Sequence, residues 1–232
     1  MTNVPHLNTQ ILYVNNFQDF VSTEFHGIKN AICWRRNLSG DFSEIVKQLE
    51  SQENIREIQE EELRELQLSE EGQHARDILI HDLKLMREYG ALPVLNVLRS
   101  YERDDSYPYF PTDVYSYHVD RSPVPVDTYL CTYYGASSDI LSNAQAQKKI
   151  LIPEIRAELK KLYDGVDDDF EAFLSEYFFD LHYQALPDAL PISLGIGDMW
   201  RLACDHPESK VPPCIHRAPH EREGEARLLL IC

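Results

Sequence analysis

The chain has 232 residues and a formal net charge of −17, from 39 acidic and 22 basic side chains. A chain of this length can bury one sizeable core, so we expect a single domain spanning residues 1–232. Such a strongly acidic surface repels phosphate backbones, which disfavours nucleic acid as a partner.

Targeting signals and cysteine usage point to one compartment. No stretch reaches the roughly 18 consecutive apolar residues of a membrane span, and the N-terminus lacks the charged and apolar regions of a signal peptide. The five cysteines are odd in number and form no C-x-x-C pair, which favours free thiols in a reducing compartment. We therefore predict a cytoplasmic protein with no membrane partner.

Residues 1–91 carry mainly helical patterns and are predicted to form a supporting layer. Asp41, with Glu44 three residues later, resembles a capping box before apolar residues at helical spacing. The glutamate-rich run 50–71 predicts a solvated helix or a pair of helices. Ser69 begins a further helical pattern, which Gly90 is expected to end.

The pattern changes to strands at residue 92. Apolar and β-branched runs in 92–142, and again in 184–232, alternate with turn residues as β-strands do. Residues 143–183 between them return to helical spacing, with Pro153 at a favourable first position. The predicted fold class is α+β, in which a β core carries an N-terminal helical layer and a helical insertion.

One candidate site combines histidine and aspartate at alternate positions. In an extended strand His118 and Asp120 point to the same side, and His216, in a later predicted strand, adds a second imidazole. Two imidazoles and one carboxylate on one face of a metal form the facial triad of non-haem Fe(II) oxygenases, which leaves coordination positions open. We predict His118, Asp120 and His216 as metal ligands and catalytic residues.

A competing tetrahedral site shares one of these residues. Cys204 and His206 lie on one face of an extended segment, as do Cys214 and His216, so the two pairs can meet across a hairpin and hold zinc. The alternative interpretation of the two cysteines is that they are ordinary buried thiols.

Arg227 comes eleven residues after His216, at the start of an apolar strand-like run. Its planar guanidinium suits a carboxylate, such as the far end of 2-oxoglutarate. The order of H-x-D, a later histidine and this arginine resembles the double-stranded β-helix, a jelly-roll or cupin-like core, of the 2-oxoglutarate/Fe(II)-dependent oxygenases.

A tyrosine pair adds to this resemblance. His118-Val119-Asp120 followed by Tyr133-Tyr134 resembles the core of prolyl hydroxylases, where a tyrosine at that offset contacts the far carboxylate of 2-oxoglutarate. The segments from Tyr133 to the C-terminal strand are also similar to a bacterial domain-of-unknown-function family placed in that superfamily. The resemblance covers roughly residues 92–232.

The resemblance implies both a cofactor set and a reaction. Fe(II) would be held by His118, Asp120 and His216, while Arg227 would pair with 2-oxoglutarate and Tyr134 would donate to it. The expected reaction is hydroxylation of a C–H bond in a small molecule, an amino acid or a peptide, with molecular oxygen consumed and succinate and CO₂ released. Because Asp120 is present, the halogenating branch of the superfamily is disfavoured.

Two other functions remain open from the sequence. The first is a non-enzymatic zinc-binding or metal-sensing protein on a cupin-like barrel, which predicts that Cys204→Ser, and not Asp120→Ala, lowers the metal content. The oxygenase interpretation predicts the reverse. The second is a cupin-like scaffold whose metal site is silent.

Overall fold

The computed structural model describes residues 10–49, 51–107, 109–220 and 224–232. It has a mixed α+β architecture, which confirms the predicted class. The helices are α1 (Phe17–Ser22), α2 (Phe42–Leu49), α3 (Glu60–Glu65), α4 (Glu70–Tyr89), α5 (Pro153–Lys161) and α6 (Phe170–Glu176).

The strands form two sheets. They are β1 (Ile11–Val14), β2 (Ala31–Trp34), β3 (Ile55–Ile58), β4 (Val94–Leu98), β5 (Tyr117–His118), β6 (Asp127–Tyr134), β7 (Asp139–Leu141), β8 (Ala146–Lys148), β9 (His182–Ala185), β10 (Ile192–Ser193), β11 (Met199–Ala203), β12 (Ile215–Arg217) and β13 (Arg227–Ile231).

The order of strands in the sheets differs from their order in the chain. The seven-stranded sheet has the order β1-β2-β11-β6-β13-β4-β3, and the six-stranded sheet has the order β10-β7-β12-β5-β9-β8. From β4 to β7, and again from β10 to β13, successive strands therefore alternate between the two sheets. Neighbouring strands of these segments are antiparallel.

The two sheets face each other across a shared apolar core. Leu130, Trp200 and Leu229 from the seven-stranded sheet pack in one cluster with Ile140 of the six-stranded sheet and with Cys214, which directly precedes β12. Because side chains alternate along a strand, the neighbours of these residues point outward and must be covered by other elements.

Helices α2 and α4 cover the outer face of the seven-stranded sheet. Tyr133 and Leu228 pack there in one cluster with Ile45, Leu83 and Met86. The apolar spacing predicted for these helices is confirmed, and so are the caps of α4, because Ser69 accepts from the backbone of Gly72 and Gly90 ends the helix with φ of 100°. Asp41 caps α2 by accepting from the backbone N–H groups of Ser43 and Glu44. The predicted capping box is incomplete, because the Glu44 carboxylate accepts from Ser69 and the Asp41 N–H donates to the Glu71 carbonyl.

A buried ion pair ties this helical layer to the sheet. Arg36 Nη1 lies 2.6 Å from Asp82 Oδ2, and the two side chains are 6% and 2% exposed. Tyr133 donates its hydroxyl to the same carboxylate at 2.6 Å. Both charged groups are therefore buried, and each is paired with the other.

The glutamate-rich run differs from its prediction. Residues 55–58 form strand β3, which pairs with β4, so the helix expected there was wrong, whereas α3 follows from residue 60. Ile58 is buried and Ile55 is exposed. Residues 55–58 form backbone hydrogen bonds with the edge of β4, and such long-range pairing is not included in the helical propensity of a segment.

The helical insertion has an apolar core of its own. Phe110, Leu159, Phe170, Leu174 and Phe179 cluster together there. Pro153 occupies the first turn of α5, as predicted. Among the described residues, no helix is long and apolar enough to cross a membrane.

Candidate metal centre

Pairing of β12 with β5 brings the two predicted histidine ligands together. His216 lies directly opposite His118, and their ring centroids are 4.5 Å apart. The Asp120 carboxylate lies 3.8 Å from His118 Nε2 and 3.6 Å from His216 Nε2. One ligand atom from each residue lies within 4.8 Å of the other two, so the three residues can hold a metal ion.

Backbone carbonyls fix the orientation of both imidazoles. His118 Nδ1 lies 2.8 Å from the Ser116 carbonyl oxygen, and His216 Nδ1 lies 3.2 Å from that of Cys214. A carbonyl oxygen only accepts, so Nδ1 is the nitrogen that donates in each of these hydrogen bonds, and each Nε2 faces the Asp120 carboxylate. Metal-bound histidines use this same arrangement, in which the second nitrogen donates to the protein.

A threonine orients the carboxylate. The Thr128 hydroxyl of β6 donates to Asp120 Oδ2. Burial acts to raise the pKa of Asp120, but His216, the Thr128 hydrogen bond and His118 outweigh it, and the pKa is lowered. The carboxylate is therefore ionised at neutral pH.

A third histidine adjoins the site, and sequence reasoning gave it no partner. His182 of β9 lies opposite His118 in the sheet, with ring centroids 6.0 Å apart. Burial, together with His118 and Lys149, lowers the pKa of His182 to about 3. Burial and the neighbouring His216 likewise lower the pKa of His118 to about 4. Both rings are uncharged at neutral pH.

Arg227 lies on the inner face of β13. It stands two residues before Leu229, which belongs to the core between the sheets, and its side chain is buried. Nη2 is 3.4 Å from Ser138 Oγ, and Nε has no hydrogen-bond partner. Burial lowers the pKa of Arg227, and the Tyr101 hydroxyl partly offsets this. Among the described residues, no carboxylate lies within ion-pair distance of its guanidinium.

Arg227 lines a different cavity from His118 and Asp120. Arg227 lines a small one with Tyr101, Tyr115 and His220. His118 and Asp120 line a cavity of about 530 Å³. Tyr134 is 37% exposed and lies opposite Leu228 in the sheet, outside the group that lines the arginine cavity. The roles of Arg227 and Tyr134 toward 2-oxoglutarate stay predictions.

The cysteines of the competing zinc site do not gather around His216. Cys204 Sγ lies 3.3 Å from Thr128 Oγ1, and His206 Nδ1 accepts from the backbone of Glu208. Within the part of the chain that the structure describes, Cys204, His206 and Cys214 form no close ligand group. Burial raises the pKa of Cys204 to about 11, which keeps its thiol protonated.

Comparison of the chain with models of protein families, with curated proteins and with solved structures gave no match. The resemblance to 2-oxoglutarate/Fe(II)-dependent oxygenases therefore depends on the pattern of residues and on the geometry described above.

Proposed function

We propose that the protein is an Fe(II)- and 2-oxoglutarate-dependent oxygenase built on a double-stranded β-helix. The observation that carries this proposal is the group of His118, Asp120 and His216, whose ligand atoms lie within 4.8 Å of one another. Two imidazoles and one carboxylate are the ligand set of non-haem Fe(II) sites with open positions.

The orientation of the donors supports metal binding over a hydrogen-bonded cluster. When both imidazoles are neutral and donate through Nδ1, their Nε2 atoms present lone pairs toward the carboxylate, which carries only acceptors when ionised. Acceptors that face one another without a proton between them need a cation. A divalent ion would satisfy all three at once.

The topology supports the fold that goes with this chemistry. The central strands of one sheet are β11-β6-β13-β4, and they face β10-β7-β12-β5 of the other. Successive strands alternate between the two sheets, as in a jelly-roll or cupin-like core. The proposed ligands lie on β5, just after it, and on β12.

The buried arginine supports a carboxylate co-substrate. Among the described residues no carboxylate forms an ion pair with its guanidinium, and the planar fork matches a carboxylate. Arg227 would hold the far carboxylate of 2-oxoglutarate, and the packed sheets would exclude water around it.

When bound, Fe(II) and 2-oxoglutarate supply the oxygen activation that hydroxylates a C–H bond and releases succinate and CO₂. The residues of this chain contribute the positioning. The Ser116 and Cys214 carbonyls orient His118 and His216, and Thr128 orients Asp120.

The first experiment is an anaerobic titration of metal-free protein with Fe(II) and then 2-oxoglutarate, followed by visible absorption. We expect the weak charge-transfer band of the chelate in the wild type, its absence in His216→Ala, and a much higher 2-oxoglutarate requirement in Arg227→Met. Succinate formation in air would then measure uncoupled turnover.

Two results would contradict the proposal. One is wild-type protein that binds Fe(II) without forming the chelate band at millimolar 2-oxoglutarate. The other is zinc bound at one equivalent and lost in Cys204→Ser but retained in Asp120→Ala, which is the behaviour expected of the non-enzymatic zinc-binding alternative.

A further inference from the structure

The cavity beside His118 carries an excess of acidic side chains. Its volume is about 530 Å³, and its lining includes the carboxylates of Asp104, Asp113, Asp120 and Glu176 against a single arginine, Arg121. Asp120 belongs to the proposed metal site. Asp104 accepts from the Thr112 hydroxyl and from the backbone of Ser106, and Asp113 accepts from the backbone of Asp104 and Tyr115. These neutral donors leave the negative charge of both carboxylates in place.

Arg121 does not cancel this charge, because it is already paired. Its guanidinium lies 2.5 Å from Asp180 Oδ2 and 2.9 Å from Asp205 Oδ2. Glu176, in contrast, has no hydrogen bond or ion pair to any described residue and is exposed at the end of α6. The unpaired charge at this cavity is therefore negative.

Aromatic rings form one wall of the same cavity. Tyr107 and Tyr177 line it, with ring centroids 6.3 Å apart in an edge-on arrangement, and each also packs on Phe179. Rings beside carboxylates attract cations through their negative faces. The neighbouring Phe178 also lines the cavity and has a positive φ of 60°, a strained backbone for a bulky residue.

A buried histidine shows that a polar partner is missing. His182 lines the cavity, its residue is 4% exposed, and its Nδ1 has no hydrogen-bond partner. Buried polar atoms in native proteins nearly always have a partner, in the protein or in a ligand. This observation is independent of the carboxylates and also points to a ligand.

We propose that this cavity binds a ligand with a cationic nitrogen, either a primary ammonium or a guanidinium, held by Glu176 and Asp104 and by the faces of Tyr107 and Tyr177. The uncharged part of the ligand occupies the rest of the cavity, which His118 and His182 also line. The inference rests on the proposed function only in taking this cavity as the substrate site.

A binding experiment tests the proposal without turnover. Calorimetric titrations of metal-free protein compare L-lysine with L-norleucine and L-arginine with L-citrulline, because each pair differs mainly in the cationic group. We expect each cationic member to bind at least about fivefold more tightly at low salt, and this preference to shrink at 0.5 M salt.

The blocked tripeptide acetyl-Ala-Lys-Ala-amide distinguishes two classes of substrate. If the substrate is a peptide, the protein binds the tripeptide more tightly than free lysine; if the substrate is a small molecule, it does not.

Matched variants identify the residues responsible. Glu176→Gln should weaken lysine binding about threefold, and the double variant with Tyr177→Leu about tenfold. The control is Glu171→Gln, which removes the same charge from the same helix but outside the cavity, where Glu171 pairs with Arg156. It should leave the affinity unchanged.

Three outcomes would overturn the inference: equal affinity within both pairs, no binding of any cationic probe at 10 mM, or equal effects of Glu176→Gln and Glu171→Gln. None of them depends on the anaerobic Fe(II) and 2-oxoglutarate titration. A chelate band without cation preference would reject the ligand class alone, and cation preference without the band would reject the oxygenase alone.

Discussion

Two places in the pair of sheets hold polar groups that the chain leaves unsatisfied, and they are opposite in charge. At one, His118, Asp120 and His216 direct acceptor atoms at one another. At the other, the Arg227 guanidinium is buried, and no carboxylate of the described residues forms an ion pair with it. The first lacks a cation and the second lacks an anion, so a metal with a dicarboxylate co-substrate would satisfy both.

A third buried ion site shows what complete pairing looks like. Arg36 and Asp82 have each other, and Tyr133 donates to the same carboxylate. That network joins the helical layer to the sheet, and both of its charged groups have a partner of opposite charge. Buried charge alone therefore does not indicate a binding site in this protein, and the proposed sites differ from the Arg36–Asp82 pair in lacking a charged partner among the described residues.

Removal of a proposed ligand should have the largest effect. We expect Asp120→Ala and His216→Ala each to weaken Fe(II) binding on the order of 100-fold or more, because only three protein ligands are available. Metal content after dialysis and competition with a chromophoric chelator measure this. Cys204→Ser is the matched control, and metal loss in that variant with retention in Asp120→Ala would refute the assignment.

The two buried arginines should respond differently to methionine. Arg36→Met leaves Asp82 buried and without its ion pair, so we expect a loss of about 3–5 kcal/mol in the free energy of unfolding. Arg227→Met removes a charge that forms no ion pair with any described carboxylate, and the free energy of unfolding should fall by less than about 1 kcal/mol or rise. Urea unfolding curves measure both. Equal losses would mean that Arg227 has an anionic partner within the chain.

The buried His182 makes stability depend on pH. Its pKa of about 3 in the folded protein lies below the ordinary value of about 6.5, so the unfolded state binds more protons as the pH falls. The stability that the uncharged His182 provides is present in full above pH 6.5 and is lost between pH 6.5 and pH 3. Between pH 7 and pH 5 the free energy of unfolding should fall by on the order of 2 kcal/mol from this residue.

Urea unfolding of the wild type and of His182→Phe at both pH values tests this. The variant should lose on the order of 2 kcal/mol less on acidification, because phenylalanine keeps the contact with Phe110 but binds no proton. Identical losses in the two proteins would show that His182 is not buried uncharged.

The smallest expected effect concerns the group that orients a proposed ligand. Thr128→Val removes the hydroxyl that donates to Asp120 and preserves the shape of the side chain. We expect metal affinity to decrease about tenfold, with little change in unfolding. Wild-type affinity in this variant would mean that the carboxylate is oriented without Thr128.

Local patterns in the sequence predicted much of the helical layer and the identity of the clustered residues. The caps at Asp41, Ser69 and Gly90 depend on hydrogen bonds between near neighbours, which the sequence contains in full. Likewise, alternation along a strand is a local property, so His118 and Asp120 could be placed on one side of the chain.

Pairing between distant segments decided the rest. The meeting of His216 with His118 depends on the β5–β12 register, and the position of His182 depends on the register of β5 with β9. Strand β3 formed because the edge of β4 was free. Sequence alone determined which side chains were available and how they alternate, whereas the tertiary structure decided which of them meet, because contacts across sheets depend on long-range registers that no local pattern specifies.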